Sequence, residues 1–216
     1  MLKTVLLAGF EPFNLETVNP AWEAVKALDG WRGAGFVVEA CQLPCVFGRA
    51  NRVLAAAIDR LAPGVIIGVG QAGGRNDLSL ERVAINIDDA PIADNEQQQW
   101  IDQSIVADGP AAYFSTLPIK AIVAQLRSRG LPASVSQSAG TFVCNHVFFG
   151  MMHHAATRRV PARAGFIHVP YLPQQAAAHP GMASMALADM ILGLRIAIEV
   201  TLAVEQDVRV EGGRSH

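Results

Sequence analysis

Short apolar runs alternate along this chain with longer segments that have helical periodicity. The runs KTVLLAGF, GFVVEACQLP, GVIIGVG and AGFIHVPY are strand-like, and segments such as GRANRVLAAAIDRLA between them are helical. Strands that alternate with helices favour a parallel sheet with helices packed on both of its faces. We therefore predict an α/β fold, a three-layer α/β/α sandwich with a twisted, mostly parallel sheet.

Length and local pattern define the organisation of the chain further. With 216 residues the chain suits a single domain, which we place at residues 1–210. In its second half we expect an irregular stretch at 88–117, a helix at 119–129, a strand at 132–137 and a helix at 143–159. The final residues EGGRSH have no periodicity, so we predict a disordered tail at 211–216.

Composition argues against several classes of protein. A formal net charge of −2 provides no basic field for nucleic acid or anionic lipid. Three cysteines, an odd number, do not make a disulfide framework, which favours a reducing compartment. The last long apolar segment carries Asp189, Arg195 and Glu199 within one arc of a helix, which predicts an amphipathic surface helix and not a membrane span. We expect a cytoplasmic protein without nucleic-acid or membrane partners.

Gly68, Gly70 and Gly73 form a literal G-x-G-x-x-G motif around the end of the apolar run GVIIGVG. A dinucleotide site needs a helix at this point, because the N–H groups and positive end of that helix hold the pyrophosphate. The residues that follow, GRNDLSLERVAINID, alternate like a strand instead. We favour a glycine-rich loop that lets a substrate approach the backbone closely.

Glu81 and His168 are the first two candidates for catalytic residues. Strand alternation places Glu81 on one face with Val83 and Ile85, where a carboxylate is costly to bury unless something pairs with it. His168 ends a strand just before Pro170, at the edge where catalytic groups of parallel sheets collect. A frayed strand start remains the alternative for Glu81, and a structural role remains the alternative for His168.

Cys144 is the third candidate, at the start of a predicted helix with an apolar stripe. Gly140 and Thr141 supply a turn and a candidate N-cap, and a thiol in the first turn feels the positive end of the helix dipole, which favours thiolate. The alternative is a small buried hydrophobic residue. Together Cys144, His168 and Glu81 are typical of a nucleophile, a base and the group that orients the base.

Metal binding is the weakest of the interpretations that we consider for the cysteines. Cys41 and Cys45 are four residues apart on a strand that runs into a loop, and no second ligand pair in the sequence has zinc spacing. We therefore predict no metal site.

Four segments, in order and spread over nearly the whole chain, resemble the pyroglutamyl peptidase I (pyrrolidone carboxyl peptidase) family of cysteine peptidases. They are GFEPFNLETVNPAW, GVGQAGGRNDLSLERVAINIDDAPIADN, SAGTFVCNHVFFGMMHH and GFIHVPYLPQQ. The resemblance implies a single peptidase domain that removes N-terminal pyroglutamate from peptides, without a cofactor, in a cytosolic homotetramer. It implies Cys144 as nucleophile, His168 as general base and then acid, and Glu81 as the orienting group. The residues that it implies for the pyroglutamyl pocket are Phe10, Phe13, Asn19, Gln71 and Phe142.

One departure from the family pattern concerns charge at the site. Where the family usually reads DARIPDN, residues 89–95 read DAPIADN, so Pro91 replaces an arginine often placed near the active site. We expect Arg75, the nearest arginine before Glu81, to take over its role of stabilising the oxyanion. Two alternatives stay open: a catalytically weak binding protein for pyroglutamyl peptides, and a nucleotide-binding oxidoreductase that uses the Gly68-Gly70-Gly73 loop.

Overall fold

The computed structural model describes residues 2–158 and 162–213 of the chain. Within these ranges the strands are β1 (Lys3–Phe10), β2 (Arg32–Gly33), β3 (Phe36–Leu43), β4 (Val65–Gln71), β5 (Leu78–Glu81), β6 (Val83–Ile85), β7 (Ala112–Phe114), β8 (Ala133–Ser136) and β9 (Arg163–Val169). The helices are α1 (Pro20–Lys26), α2 (Arg49–Leu61), α3 (Ile119–Ser128), α4 (Val143–Thr157), α5 (Pro173–Ala176) and α6 (Leu187–Ala203).

Seven strands form the central sheet in the order β2-β3-β1-β4-β9-β5-β8. The pairs β3–β1, β1–β4, β4–β9 and β5–β8 are parallel, whereas β5 runs antiparallel to β9 and β2 antiparallel to β3. The prediction of a mostly parallel sheet is confirmed. The two reversals had no sequence signal that we recognised, and the one at β5 matters for the site.

Two apolar clusters cover the two faces of this sheet. On one face the odd-numbered residues of β4 pack with helices α1, α3 and α6. On the other face Ile66 of β4 and Phe166 of β9 pack with α2 and α4. Every residue of β4 is buried, which explains why its sequence is a continuous apolar run and does not alternate. The three-layer α/β/α arrangement predicted from the sequence is confirmed.

The segment 78–87 departs from the single strand that its alternation predicted. β5 pairs with β8 and β9 as far as Glu81, and the chain then leaves the sheet at Arg82. β6 continues in a separate two-stranded sheet with β7, which lies inside the stretch that we predicted to be irregular. The strand is interrupted because the hydrogen-bonding partner changes at Arg82. Its N–H still donates to Ser136 O in the central sheet, whereas its carbonyl oxygen accepts from Ser115 N–H.

The side chain of Asn145 holds this displaced segment against α4. Asn145 has no exposure to solvent; its Oδ1 accepts from Ile85 N at 3.0 Å, and its Nδ2 donates to Ile85 O at 2.9 Å and to Ile87 O at 3.0 Å. A buried amide that satisfies backbone groups in this way removes the cost of leaving them unpaired. It couples the start of α4 to β6.

The remaining predicted boundaries agree with the structure to within one or two residues. The helix and strand expected at 119–129 and 132–137 are Ile119–Ser128 and Ala133–Ser136, and the helix expected at 143–159 ends at Thr157. Residue 159 lies outside the described residues. Of the tail predicted at 211–216, residues 214–216 also lie outside them, and Gly212 O accepts from Arg82 Nη2 at 2.9 Å.

Candidate active site

His168 and Glu81 form a buried pair on the face of the sheet that α4 covers. His168 Nδ1 lies 2.8 Å from Glu81 Oε1, with Glu81 0% and His168 3% exposed. The antiparallel register of β5 and β9 sets Ser79 opposite His168 and Glu81 opposite Phe166, so all four side chains share one face. The alternative interpretation, in which Glu81 lies at a frayed strand start, is therefore wrong.

Cys144 lies in the first turn of α4, directly above the centre of the sheet. Gly70 is the cross-strand neighbour of His168, and a Cβ atom added to Gly70 would come within 2.8 Å of Cys144 Sγ. The thiol therefore sits against the backbone of β4, beside the strand position of His168. Three residues from distant parts of the chain, Cys144, His168 and Glu81, thus lie in one region of the fold.

The glycines of the G-x-G motif have a steric explanation. Gly68 and Gly70 are buried within β4 and not in a loop, and a Cβ at Gly68 would lie 2.5 Å from the ring of Phe166. A Cβ at Gly70 would meet both that ring and the thiol. The chain then turns through residues 72–77 into β5 without a helix, so the arrangement that binds a dinucleotide is not formed here. The expectation of a glycine-rich loop was wrong for Gly68 and Gly70, which lie within the strand.

The start of α4 differs in one detail from the sequence prediction. Phe142 and not Thr141 is the N-cap residue, and no side chain caps the helix. Thr141 Oγ1 instead donates to Asp89 O at 2.7 Å, while Asp89 N–H donates to Thr141 O at 3.0 Å. His146 N–H makes a helical hydrogen bond to Phe142 O, so the N–H of Cys144 precedes the first intrahelical donors and is directed out of the helix end.

The protonation of Cys144 also differs from expectation. Burial and, to a smaller extent, the negative charge of Glu81 raise the pKa of its thiol to about 12, while the positive charge of Arg75 acts in the opposite direction. The helix end favours thiolate by at most about 1 kcal/mol at exposed positions, whereas desolvation can shift a buried group by several pKa units. Burial therefore outweighs the helix dipole and favours the neutral thiol in the free site.

Arg75 is the second side chain, after His168, that contacts the carboxylate of Glu81. Its Nη1 lies 2.6 Å from Glu81 Oε1 and its Nη2 donates to Ser138 O at 3.0 Å. These contacts join the buried carboxylate of Glu81 to the segment that leads into α4. We had expected Arg75 to replace the family arginine beside an oxyanion; its observed contacts indicate that it holds Glu81 and Ser138 in place.

Aromatic rings pack together at the start of α4, where Phe142 is the N-cap residue. The centroids of Phe13 and Phe142 are 6.1 Å apart, and both rings are half-buried. Phe10 is only 2% exposed and packs on Phe166 at 6.3 Å. Of the three predicted pocket rings, Phe13 and Phe142 offer surface to a ligand, whereas Phe10 lies behind them in the core.

Asn19 and Gln71, the two polar residues predicted for the pocket, act through neighbouring backbone. Asn19 is the N-cap of α1, where its Oδ1 accepts from Ala21 N at 3.0 Å, and its Nδ2 donates to Glu11 O at 3.1 Å. It thus ties the loop after β1 to α1. Strand alternation turns the side chain of Gln71 away from the thiol, onto the opposite face of β4 from Gly70. Only its backbone can face a ligand beside Cys144.

A second buried histidine–carboxylate pair lies close by and was missed by the sequence reasoning. His146 Nδ1 is 2.8 Å from Asp88 Oδ2, and Gly48 N–H donates to His146 Nε2 at 2.9 Å. The imidazole therefore has its proton on Nδ1 and both nitrogens engaged. His146 is on α4 two residues after Cys144, but this saturation makes it a structural residue that fixes the 88–89 segment against α4.

Metal binding and membrane insertion find no support in the described ranges, 2–158 and 162–213. No group of three histidine, cysteine, aspartate or glutamate side chains there is arranged to hold a metal ion. None of the helices in the same ranges has the length and apolar character that crossing a membrane requires.

Comparison with known proteins gives matches along the whole chain. A family model described as "Pyroglutamyl peptidase" matches residues 3–204. The pyrrolidone-carboxylate peptidase of Cupriavidus pinatubonensis is 62% identical over 219 aligned residues, with 100% of both chains covered. The pyrrolidone-carboxylate peptidase 1 of Ralstonia nicotianae is 60% identical over 215 residues with the same coverage.

Solved structures agree with these matches. The crystal structure of pyroglutamyl peptidase I from Bacillus amyloliquefaciens has a TM-score of 0.95 to this fold at 45% identity, covering 98% of this chain and 100% of that one. A mutant pyrrolidone carboxyl peptidase from Pyrococcus furiosus has a TM-score of 0.91 at 43% identity, covering 93% and 98% of the two chains.

The contact between Gly70 and the thiol predicts the effect of a single added methyl group. Gly70→Ala should displace Cys144 Sγ, and misplacing a reacting atom by about 1 Å costs on the order of 10²-fold in rate. Gly68→Ala is the matched control, because its Cβ would strike Phe166 but not the sulfur. The measurement is the turnover number kcat of each variant, and urea unfolding checks that each variant keeps its stability. Equal kcat losses in the two variants would show that the sulfur is not the critical neighbour.

The raised pKa of Cys144 predicts how the free thiol reacts. Because the proton stays on sulfur at neutral pH, the rate of alkylation by iodoacetamide should rise about tenfold per pH unit from pH 6 to 9, following the thiolate fraction. A variant with Cys41→Ser and Cys45→Ser makes Cys144 the reactive thiol, and mass spectrometry confirms the labelled residue. A rate that levels off below pH 8 would instead indicate a thiolate in the resting site.

Proposed function

The chain belongs to the pyroglutamyl peptidase family of cysteine-type hydrolases, which remove an N-terminal pyroglutamyl residue from peptides, and we propose that Cys144, His168 and Glu81 carry out this reaction. Most of the support comes from the contact of 2.8 Å between His168 Nδ1 and Glu81 Oε1, beside the strand position against which Cys144 Sγ packs. Glu81 Oε1 accepts from Nδ1–H, so the lone pair of the neutral imidazole is on Nε2 and is available as a base.

The reaction begins with the transfer of the thiol proton to His168 Nε2 as Cys144 Sγ attacks the carbonyl carbon of the pyroglutamyl residue. The tetrahedral intermediate collapses when His168 returns this proton to the departing amine of the next residue. A water molecule then gives a proton to His168 while its oxygen attacks the thioester. Pyroglutamate leaves and the proton returns to Cys144. A base is needed from the first step, since the resting thiol is neutral.

Backbone N–H groups at the start of α4 support the negative oxygen of the intermediate. The helix has no side-chain cap, and Cys144 N–H belongs to its first turn, which has no intrahelical acceptors. We propose this N–H as an oxyanion donor. Pro91 is exposed two residues beyond Asp89, whose backbone pairs with Thr141. In this chain the position of the usual family arginine therefore supplies no cation.

The lactam ring of the substrate calls for an apolar slot with a few hydrogen-bonding groups, because it carries no charge. Phe13 and Phe142 supply half-buried faces for it, with Phe10 behind them. The backbone of Gln71 supplies polar groups at the end of β4, and Asn19 holds the loop that carries Phe13. We propose peptides with N-terminal pyroglutamate as the substrates that fit this slot.

The wider setting follows from the family and not from the geometry. We propose that the enzyme works in the cytoplasm as a homotetramer and without a cofactor, as the family resemblance implies. The three free cysteines agree with a reducing compartment.

Substitution of the thiol tests the proposed nucleophile directly. Cys144→Ser should lower kcat for a pyroglutamyl anilide on the order of 10⁴-fold, as loss of a triad nucleophile does. Cys41→Ser, which removes the other half-buried thiol, should stay within about tenfold of the natural chain. Release of the aniline is followed by absorbance. Activity that survives Cys144→Ser, or that is lost only with Cys41→Ser, would overturn the assignment.

The orienting role of Glu81 is tested by comparing neighbouring side chains. Glu81→Gln keeps the size of the buried group but offers His168 an amide that can present either polarity, so kcat should fall by far more than with Arg82→Gln. Arg82 is the matched control because alternation turns it to the other side of the strand. Both variants are checked by urea unfolding. Similar small losses of kcat in the two would mean that Glu81 is structural.

A further inference from the structure

Four polar side chains meet on the face of β4 that is turned away from the thiol. His179 Nε2 lies 2.7 Å from Glu16 Oε1, and Gln175 Nε2 lies 3.1 Å from both Glu16 Oε2 and Gln71 Oε1. We call this group, His179, Glu16, Gln175 and Gln71, the Glu16 cluster. The proposed reaction uses neither its imidazole nor its carboxylate, although the cluster joins three segments that build the pocket.

The direction of each hydrogen bond in the Glu16 cluster is determined by groups of fixed polarity. The backbone N–H of Leu172 can only donate, and it lies 3.1 Å from Gln175 Oε1. Gln175 must therefore turn its amino group toward Glu16 and Gln71. A carboxylate can only accept, which suits Glu16 to receive from both Gln175 and His179. The buried amides consequently have a single arrangement as long as Glu16 is ionised.

Glu16 is held in the ionised form by its neighbours. The hydrogen bond from His179 lowers the pKa of Glu16, burial opposes this effect, and the hydrogen bond from Gln175 and the charge of His179 lower the pKa further. The ring of Tyr171 stacks on His179 with centroids 5.1 Å apart, and burial together with the charge of Glu16 raises the pKa of Tyr171. The cluster is thus a charged group covered on one side by an aromatic ring.

The chain just before Glu16 is strained, which indicates that the cluster holds it. Asn14 and Leu15 have φ values of 52° and 65°, in the left-handed region that disfavours a side chain such as that of leucine. The side chain of Leu15 is fully exposed, so packing does not compensate for the strain. The turn is closed by Glu16 N–H donating to Phe13 O at 3.1 Å. The ring of Phe13 is therefore placed by a turn that is anchored through the next side chain, Glu16.

The other ends of the cluster reach the remaining walls of the pocket. Gln71 is the last residue of β4, next to the Gly70 position that lies under the thiol. Tyr171 packs against Gly73, where an added Cβ would lie 2.4 Å from its ring, and Gly73 precedes the turn to Arg75. One cluster thus holds the loop of Phe13, the end of β4 and the segment after His168 together.

We propose that Glu16 and His179 are positioning residues for the pyroglutamyl pocket, which hold Phe13 and the end of β4 in the arrangement that binds the lactam ring. This proposal rests on the proposed function of the site. Because the cluster lies on the opposite face from Cys144, it acts on binding of the ring and not on the thiol. Its loss should raise KM and leave the chemical step intact.

Three substitutions break the cluster in different ways. His179→Leu removes a donor at a partly exposed position, Glu16→Gln leaves one oxygen for two donors, and Gln175→Glu sets a second carboxylate against Glu16. His179→Gln is the conservative variant, since its Nε2 can still donate to Glu16. Glu23→Gln is the matched control, because it removes a partly exposed carboxylate of α1 that pairs with Lys26 at 2.9 Å.

Each variant is measured for kcat and KM with a pyroglutamyl anilide, for inhibition by the free lactam pyrrolidone, and for the rate of Cys144 alkylation. We expect the three disruptive variants to raise KM and the pyrrolidone inhibition constant together, by about tenfold, the scale of one charge-assisted hydrogen bond. kcat and alkylation should stay within about twofold. His179→Gln should restore most of the affinity, and Glu23→Gln should resemble the natural chain.

Two results would overturn the proposal. One is an unchanged KM and inhibition constant in His179→Leu, whose exposed position makes loss of the fold unexpected. The other is a parallel fall in kcat and alkylation rate, which would indicate general loosening of the fold. The proposed function fails separately, if the natural chain does not hydrolyse the anilide or keeps its activity after Cys144 is alkylated.

Discussion

The buried carboxylate of Glu81 is the constraint around which the site is arranged. An ionisable group without exposure to solvent requires polar partners, and His168 and Arg75 both meet its Oε1 atom. His168 reaches it because β5 runs antiparallel to β9, which sets Ser79 opposite the histidine and Glu81 two residue pairs further along, on the same face. The reversal of one strand in a mostly parallel sheet thus gives a histidine at a strand end the partner that orients it.

The state of the thiol follows from the same burial. Packing Cys144 against the centre of the sheet reduces the solvation of the sulfur, and this favours the neutral form more strongly than the helix end favours thiolate. Glu81 pairs with His168 but also adds a negative charge that disfavours a thiolate nearby. The proposed mechanism therefore depends on proton transfer to His168 during attack and less on a thiolate formed in advance.

Local periodicity was sufficient to predict much of this molecule. It predicted the layered sheet, the inward face of Glu81 and the helix that begins beside Cys144. It was insufficient where a role depends on a partner from a distant part of the chain. The strand-like alternation continues through Arg82, although the pairing partner of the strand changes at that residue. In the sequence Gly70 resembles a loop glycine, because the sulfur of Cys144 that leaves no room for a Cβ there is remote along the chain. That the side chain of Gln71 lies on the face of β4 opposite the thiol can be deduced only once the two faces of β4 are known.

Two glycines in one strand make that strand harder to order on folding. Gly68 and Gly70 lose more backbone freedom on folding than other residues and offer no side chain for packing. β4 can accommodate them because it is the fourth of seven strands, hydrogen-bonded on both edges by β1 and β9 and covered by helices on both faces. A short edge strand such as β2 would have half of that support. The reactive sulfur lies over the middle of the sheet because only a strand supported on every side can give up side chains and still stay rigid.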